Sequence, residues 1–464
     1  MKAFVIAAPQ SGSGKTTITI GLMEVLRRRG LTVAPFKVGP DFIDPGYHRL
    51  VTHRPSINLD GWMCGPDGVR ESFDRYARGT DIAVIEGAMG LFDGFGGRSE
   101  AGSSAQVAKL TGAPVILVVD ARGQARSVAA LIKGFAEYDP DVRIAGVIFN
   151  QVSSDNHGSI LRDAVADLDV PVPVLGCIPA DSRLAIPSRH LGLITADDNP
   201  LSVAYLEYLA AVIREHVDLA LLWGVALNRY DDDTAPAVEA DEPEQPAVKI
   251  AVARDEAFCF VYEENLRLLA ESGAELIPFS PIRDTALPEG IAGIYLPGGY
   301  PELFAETLAA NGVMKQSISG AIDRGMPVYA ECGGFIYLTK GVVSPIGQPE
   351  VPDGFVGVFP VMTRMLNRRK ALGYREIELA ADSVIGRKGM IARGHEFHYS
   401  EISEMPAEIE RVYRVRRGSV ELGSEGYRVN NCLASYIHLH FGSCPEIGRN
   451  FVAGCRDFME QQPT

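Results

Sequence analysis

The sequence lacks a cationic surplus. Its 44 Lys and Arg are outnumbered by 59 Asp and Glu, for a net charge of −15. An acidic surface repels phosphate backbones, so nucleic acid is excluded as the expected partner. Paired cysteines are lacking as well. The seven cysteines, at 64, 177, 259, 332, 432, 444 and 455, include no C-x-x-C spacing, so neither a zinc knuckle nor a thioredoxin motif is present. An odd, unpatterned set points to reduced thiols and a cytoplasmic location. No apolar run is long enough to span a bilayer. The most apolar stretch, near 201–227, is broken by Glu207, Arg214, Glu215, His216 and Asp218 and reads as one or two amphipathic helices, so no membrane partner is expected. The opening MKAFVIAAPQ runs straight into a glycine loop, as a buried strand does and a signal peptide does not. Internal repeats are absent.

What is present is ordinary globular composition, 46% hydrophobic and 22% charged over 464 residues, enough for two or three domains. The sharpest shift lies at 230–246, YDDDTAPAVEADEPEQP, with seven acids and three prolines. Such a stretch has almost nothing to bury and reads as a solvated linker. It divides the chain into 1–229 and 247–464. In the first part, Val- and Ile-rich runs at 3–8, 82–86, 114–119 and 144–149 suit parallel strands buried on both faces, with helical patterns at 15–29 and 125–137 between them. The second part opens likewise with VKIAVA at 248–253, followed by AELIPF, GIYLP and PVYAE, whereas 355–430 has more strand character. The expected fold is α/β, with two doubly wound domains.

Strand FVIAAP leads into QSGSGKTT and a helix. Gly12 and Gly14 let backbone N–H groups curl round a phosphate. Lys15 supplies charge, Thr16 offers a hydroxyl to Mg²⁺, and Thr17 completes the nucleotide loop. The strict spacing asks for Gly where Pro9 stands. AVIEGAMG ends a strand in Glu86, placed to hold Mg²⁺ directly or through water. GVIFNQV ends in Asn150, whose amide suits an adenine edge or a simple turn. FKVGPDFIDPGYH sets Asp41 and Asp44 three apart in a Gly/Pro loop after a strand, and Asp93 follows in GLFDG. These acids suit metal or substrate binding; the alternative is an Asx-turn role.

In the second part, MPVYAECGGFIYL at 326–338 is strand, sharp turn and helix. Cys332 stands at the turn, where a nucleophile's strained backbone needs small neighbours. The helix N-terminus favours a thiolate, and Gly333 with Gly298 and Gly299 of YLPGGYPE offers N–H groups to an oxyanion. ASYIHLHF carries His438 and His440, which share a face if the segment is a strand; either is placed to take the proton of Cys332. RGHEFHYSE has the wrong order for H-E-x-x-H and reads as a packing or substrate-proximal block, not a metal site.

Taken together, SGSGKTT, KVGPDFIDPGYH, VIEGAMGLFDG, YLPGGYPE, AECGGFIYL, GHEFHYS and ASYIHLHF resemble, over nearly the whole chain, the cobyrinic acid a,c-diamide synthase family of corrinoid glutamine amidotransferases. The resemblance implies a dethiobiotin-synthetase-like P-loop domain followed by a class I glutamine amidotransferase domain. It makes Cys332 the glutamine nucleophile and His438 its base. It also implies that Thr16, Asp41 and Glu86 serve Mg²⁺-ATP and that Asp44 and Asp93 line the acceptor site. Class I domains usually place Glu two residues beyond the histidine, and that position is His440 here. The implied reaction is phosphorylation of a cobyrinic acid carboxylate by ATP, release of ammonia from glutamine at Cys332, and attack of ammonia on the acyl phosphate. Two alternatives stand beside it. One is another tetrapyrrole acceptor, hydrogenobyrinic acid or a sirohydrochlorin. The other is a P-loop ATPase switch with a non-catalytic second domain, against which the intact AECGG turn and the C-terminus GCRDFMEQQPT, without a membrane-targeting helix, both argue.

Overall fold

In the computed structural model, residues 1–170, 172–186, 188, 189, 192, 193, 201–228, 247–343, 351, 352 and 354–461 are described; the acidic segment 230–246 lies outside them. The chain separates into two compact units, Met1–Ala237 and Val238–Thr464. No described helix is long and apolar enough to cross a membrane. All seven cysteines are free.

The first unit is a sheet between two helical layers. Strands β1 (Lys2–Ala7), β2 (Val33–Val38), β3 (Ile57–Leu59), β4 (Ile82–Glu86), β5 (Val115–Asp120), β6 (Ile144–Val152) and β7 (Val174–Pro179) lie side by side in the order β3-β2-β4-β1-β5-β6-β7, all parallel. Alternation explains why β1 is apolar throughout. Ala3, Val5 and Ala7 enter one core cluster, Phe4, Ile6 and Ala8 the other, because successive side chains point to opposite faces. On one face lie α1 (Lys15–Arg28), α2 (Ile43–Thr52) and the helices Val203–His216 and Leu219–Val225; the other carries helices Gly65–Ala77, Ser104–Thr111, Val128–Glu137 and Asp155–Ala166. Lys37 and Ile6 are each the register partner of Glu86, so the carboxyl ends of β2, β1 and β4 share one edge of the sheet, where ligands of such folds bind.

The second unit holds a ten-stranded sheet. Its strands are β8 (Val248–Ala253), β9 (Ala274–Phe279), β10 (Gly293–Leu296), β11 (Val328–Glu331), β12 (Ala371–Leu379), β13 (Ile391–His398), β14 (Glu410–Arg417), β15 (Val420–Val429), β16 (Cys432–Ser435) and β17 (His438–Leu439). The order is β9-β8-β10-β11-β16-β15-β14-β12-β13-β17. The first five are parallel and the rest antiparallel. Most of the strand-rich 355–430 region therefore extends the α/β sheet, while Met362–Met365 and Ser400–Ile402 join Gly341–Val343 in a small three-stranded sheet. The antiparallel arm of the larger sheet returns β13 against β17, with His395 opposite His438.

Candidate active site

The nucleotide loop follows β1. Gly12 (φ 80) and Gly14 (φ 94) adopt the left-handed conformation that only glycine takes without strain, and α1 begins at Lys15, with half-buried Thr17 in its first turn. A β-carbon on Gly14 would overlap the Asn150 amide, whose Nδ2 donates to Ser13 O at 3.0 Å. One N–H of this amide thus holds the loop backbone and fixes the loop's shape. Lys15 Nζ donates to Met89 O at 2.6 Å and to Gln10 O at 3.3 Å. Burial and the neighbouring Lys37 bring its pKa down to about 8.

Thr16 Oγ1 lies 2.6 Å from Glu86 Oε1 and 3.3 Å from Asp44 Oδ2. Between the two carboxylates sits Lys37, absent from the sequence-derived set. Its Nζ is 2.6 Å from Asp44, 3.0 Å from Glu86 and 3.8 Å from Asp41. Burial opposes its charge, yet Asp44, Glu86 and Asp41 outweigh that and raise its pKa. Burial would raise Glu86, but Lys37, His48 (Nε2 at 2.7 Å) and Thr16 hold it well below the usual carboxylate range. Asp44 is pushed up by burial and by the charges of Asp41 and Glu86. Two carboxyls around one ammonium thus separate in acidity. The signal for Lys37 was in the sequence: a lysine inside an otherwise apolar strand, next to its last residue and two positions before GPD.

The loop reading of 43–52 changes, and the three acids find partners. Residues 43–52 form a helix, not a loop, because Pro45 falls in a first turn whose N–H groups need no intrahelical acceptor. Asp41 Oδ1 accepts from Ile43 N (2.8 Å) and Asp44 N (3.1 Å), so it caps that helix while its other oxygen faces Lys37. Asp93 Oδ2 accepts from Gly90 N at 2.9 Å and closes its own turn. Asp44 joins Thr16 and Glu86. Among the described residues no group of three or more His, Cys, Asp or Glu is arranged to hold a metal. The all-oxygen trio of Thr16, Asp44 and Glu86 nonetheless has the chemistry of a Mg²⁺-nucleotide site, in which one or two carboxylates suffice beside phosphate oxygens.

Removing Lys37 leaves buried carboxyls without their cation. Lys37→Met is expected to lower stability by about 3 kcal/mol, the usual cost of breaking a buried ion pair from one side. ATP-dependent amidation should fall while glutamine hydrolysis persists. Urea denaturation of the variant checks the first expectation, and an unchanged midpoint would sink it.

In the second unit Cys332 sits at φ 44, ψ −102, a strained turn of the kind stored at functional sites. Its N–H donates to Ser435 O at 2.7 Å, tying β11 to β16, while the next amide, that of Gly333, lies against the thiol. A β-carbon on Gly333 would come 2.7 Å from Gly299 N, and one on Gly298 would overlap His438 Cε1. Glycine is therefore required where the turn, the Gly298–Gly299 pair and the histidine converge. These contacts bring Cys332, His438, Gly298, Gly299 and Gly333 into one place, as the sequence suggests. His440 does not join them. It follows the two-residue strand β17, and its ring tilts against Tyr262, with centroids 4.7 Å apart.

The thiol departs from the expected thiolate. Burial, then the charge of Glu302, pushes Cys332 well above the ordinary thiol range, and the Gly333 N–H only partly opposes this; the helix behind it, Gly333–Leu338, is short. Burial lowers His438 to about 3. The resting pair is neutral, so the proton moves as the sulfur attacks. Sequence reasoning also missed Glu331, which lies 4.0 Å from His438 Nδ1. The HEFHYS block is structural around this centre. His395 stacks on His438 (4.8 Å, 11°) and bonds Tyr262 Oη through Nδ1 at 2.8 Å, while His398 lies 2.7 Å from Glu396 and stacks on Tyr436.

Residues 4–194 match the CobQ/CobB/MinD/ParA nucleotide binding domain, and 249–445 match the CobB/CobQ-like glutamine amidotransferase domain. Nearly the whole chain is similar to three curated proteins called cobyrinate a,c-diamide synthase. It is 44% identical to that of Syntrophotalea carbinolica over 459 residues (97% of this chain, 98% of the other). It is 41% identical to that of Priestia megaterium over 460 residues (98% and 97%), and 42% identical to that of Caldanaerobacter subterraneus subsp. tengcongensis over 459 residues (98% and 99%).

Proposed function

Because the chain belongs to the cobyrinate a,c-diamide synthase family, and is thereby a glutamine-hydrolysing carbon–nitrogen ligase with an ATP-using nucleotide-binding domain, we propose that it amidates the a- and c-acetate carboxylates of cobyrinic acid in cobalamin biosynthesis, through an acyl phosphate and in the cytoplasm. The observation that carries the reading is the presence in one chain of two complete chemistries: Thr16, Lys37, Asp44 and Glu86 beside a phosphate loop, and Cys332 with His438 beside Gly298, Gly299 and Gly333.

ATP lies with its phosphates on the 12–17 loop, held by backbone N–H groups and Lys15. Thr16, Glu86 and Asp44 would hold Mg²⁺, which supplies charge neutralisation between the phosphates. Lys37 is placed to follow the transferred phosphoryl group once phosphates and metal compete for its carboxylates, since phosphoryl transfer needs mainly positioning and neutralised charge. At the other centre His438 takes the thiol proton, the sulfur attacks the glutamine amide, and the Gly333 and Gly299 N–H groups receive the oxyanion. Ammonia leaves and water clears the thioester. Free amine is mostly ammonium at neutral pH, so ammonia made in one unit must reach the other unprotonated.

The test is product mass after incubation with ATP, Mg²⁺, glutamine and, in parallel, cobyrinic acid, hydrogenobyrinic acid and sirohydrochlorin. Each amidation exchanges a hydroxyl for an amino group. Two such changes on cobyrinic acid are expected, with ADP and phosphate formed in step. No change on cobyrinic acid, with turnover of either other ring, overturns the substrate; no glutaminase activity at all overturns the enzyme reading.

A further inference from the structure

The acid that class I domains usually carry beyond the catalytic histidine is His440 here, and His440 packs away from His438 against Tyr262. Another carboxyl occupies the space behind His438. Glu331, the residue before the nucleophile, is 1% exposed and His438 2%. Glu331 Oε1 accepts from Tyr329 Oη at 2.7 Å and from Leu439 N at 2.9 Å. Its Oε2 accepts from Tyr295 Oη at 2.9 Å and lies 4.0 Å from His438 Nδ1. A carboxylate has about four acceptor positions. Three are filled by groups that fix its place, and the oxygen with capacity left is the one facing the imidazole.

The carboxyl that lies nearest the His438 Nδ1 also holds the backbone of the histidine segment, since Leu439 directly follows His438 in β17. His395 stacks flat on the ring, and Gly298 sits against Cε1. The ring is thus bounded by His395 and the Gly298 backbone, with Nδ1 toward Glu331.

We propose that Glu331 is the positioning residue of the glutaminase centre: it accepts the Nδ1–H of His438, selects the tautomer with Nε2 free, and stabilises the imidazolium formed during attack. This rests on the assignment of Cys332 and His438 as the glutaminase pair. In the step, the S–H bond breaks and Nε2–H forms while sulfur bonds the amide carbon. On collapse of the adduct the C–N bond breaks and the Nε2 proton passes to the departing nitrogen. Glu331 takes no proton. Its place on the nucleophile's own strand gives a compact arrangement: one buried acid at the end of β11 aligns the base, and the next residue attacks.

The groups facing Glu331 are Tyr295 from β10, Tyr329 from its own strand, Tyr413 from β14, His438 from β17 and the adjacent Cys332. Burial raises the Glu331 pKa to about 7, against the hydrogen bonds of Tyr329, Leu439 N and Tyr295. Its anion is present above that pH and lost below it. Glutaminase activity should therefore rise with pH through about 7.

Glu331→Gln is expected to lower kcat with glutamine by roughly 10⁴-fold, the scale seen when the orienting acid of such a centre is replaced. KM for glutamine should stay within about threefold, ammonia-dependent amidation should be kept, and the rise near pH 7 should vanish. Glu331→Asp should recover part of kcat and restore the rise. A kcat within about threefold of wild type, or equal losses with glutamine and ammonia, overturns the proposal. If Glu331→Gln does not fold, Tyr295→Phe decides: removing a hydrogen bond to the carboxylate should move the rise to higher pH, and an unmoved profile overturns the proposal. Cys332→Ser in the same assays separates the two readings. If it retains glutamine-dependent activity, the pair itself is misassigned; if it loses that activity while Glu331→Gln does not, only Glu331 is.

Discussion

Cys332→Ser is expected to lose glutamine-dependent amidation by roughly 10³- to 10⁶-fold, the scale on which nucleophile removal acts, and to keep ammonia-dependent amidation at the wild-type rate. The backbone at φ 44, ψ −102 holds either side chain at the turn, so the loss is chemical and not one of placement. Burial already keeps the Cys332 thiol protonated at neutral pH. A serine hydroxyl is a far weaker acid than a thiol, so proton transfer to His438 as the oxygen attacks is far less favourable than from sulfur. His438→Ala should show the same uncoupling. His440→Ala should be milder, because that ring contacts Tyr262 and not the Gly298 side of the site. Initial rates with glutamine and with ammonium chloride at slightly alkaline pH, where more free ammonia exists, are the measurement. Full glutamine-dependent activity in Cys332→Ser refutes the nucleophile assignment, and loss confined to His440→Ala would transfer the base to His440.

Lys15→Ala is expected to abolish amidation with both nitrogen sources, by roughly 10³-fold or more, since a lost phosphate cation removes charge stabilisation that water cannot replace in a closed site. Glutamine hydrolysis should remain. Lys15 carries an additional signature. Burial and Lys37 bring its pKa to about 8, so its charge is present below that pH and lost above it until bound phosphates restore it. ATP affinity of the wild type should weaken as pH rises through about 8, and the variant should lack that dependence. Calorimetric titration of ATP across pH 7–9 decides it; amidation at the wild-type rate in Lys15→Ala would remove the loop from the reaction.

Much of the site was legible because it is local. Gly12, Gly14 and Lys15 lie within one turn, and AECGG specifies both a strained backbone and the small neighbours it needs. Glu86 could be placed because a strand ends on it. The mixed sheet of the second unit was only half legible. Parallel strands buried on both faces announce themselves as apolar runs, whereas β12–β15 mix buried with exposed or half-buried residues and could equally have formed a separate sheet. The segment after Asp41 reads as a loop because Pro45 reads as a loop residue, although a helix tolerates it in its first turn.

By itself the sequence determined what depends on neighbours along the chain: the alternation of strands and helices, the phosphate loop, the nucleophile's turn, and a motif set sufficient to identify the family. Tertiary structure alone decided which groups meet. Lys37 and Glu86 are register partners on adjacent strands, Asn150 reaches the Ser13 carbonyl, and Glu331 stands behind His438. It also decided the protonation states, from a lowered Lys15 to a raised Cys332. The reason is that hydrogen-bond partners, burial and local charge are set by strands and loops far apart in the chain. Their effect on a side chain exists only once the sheet has brought them together.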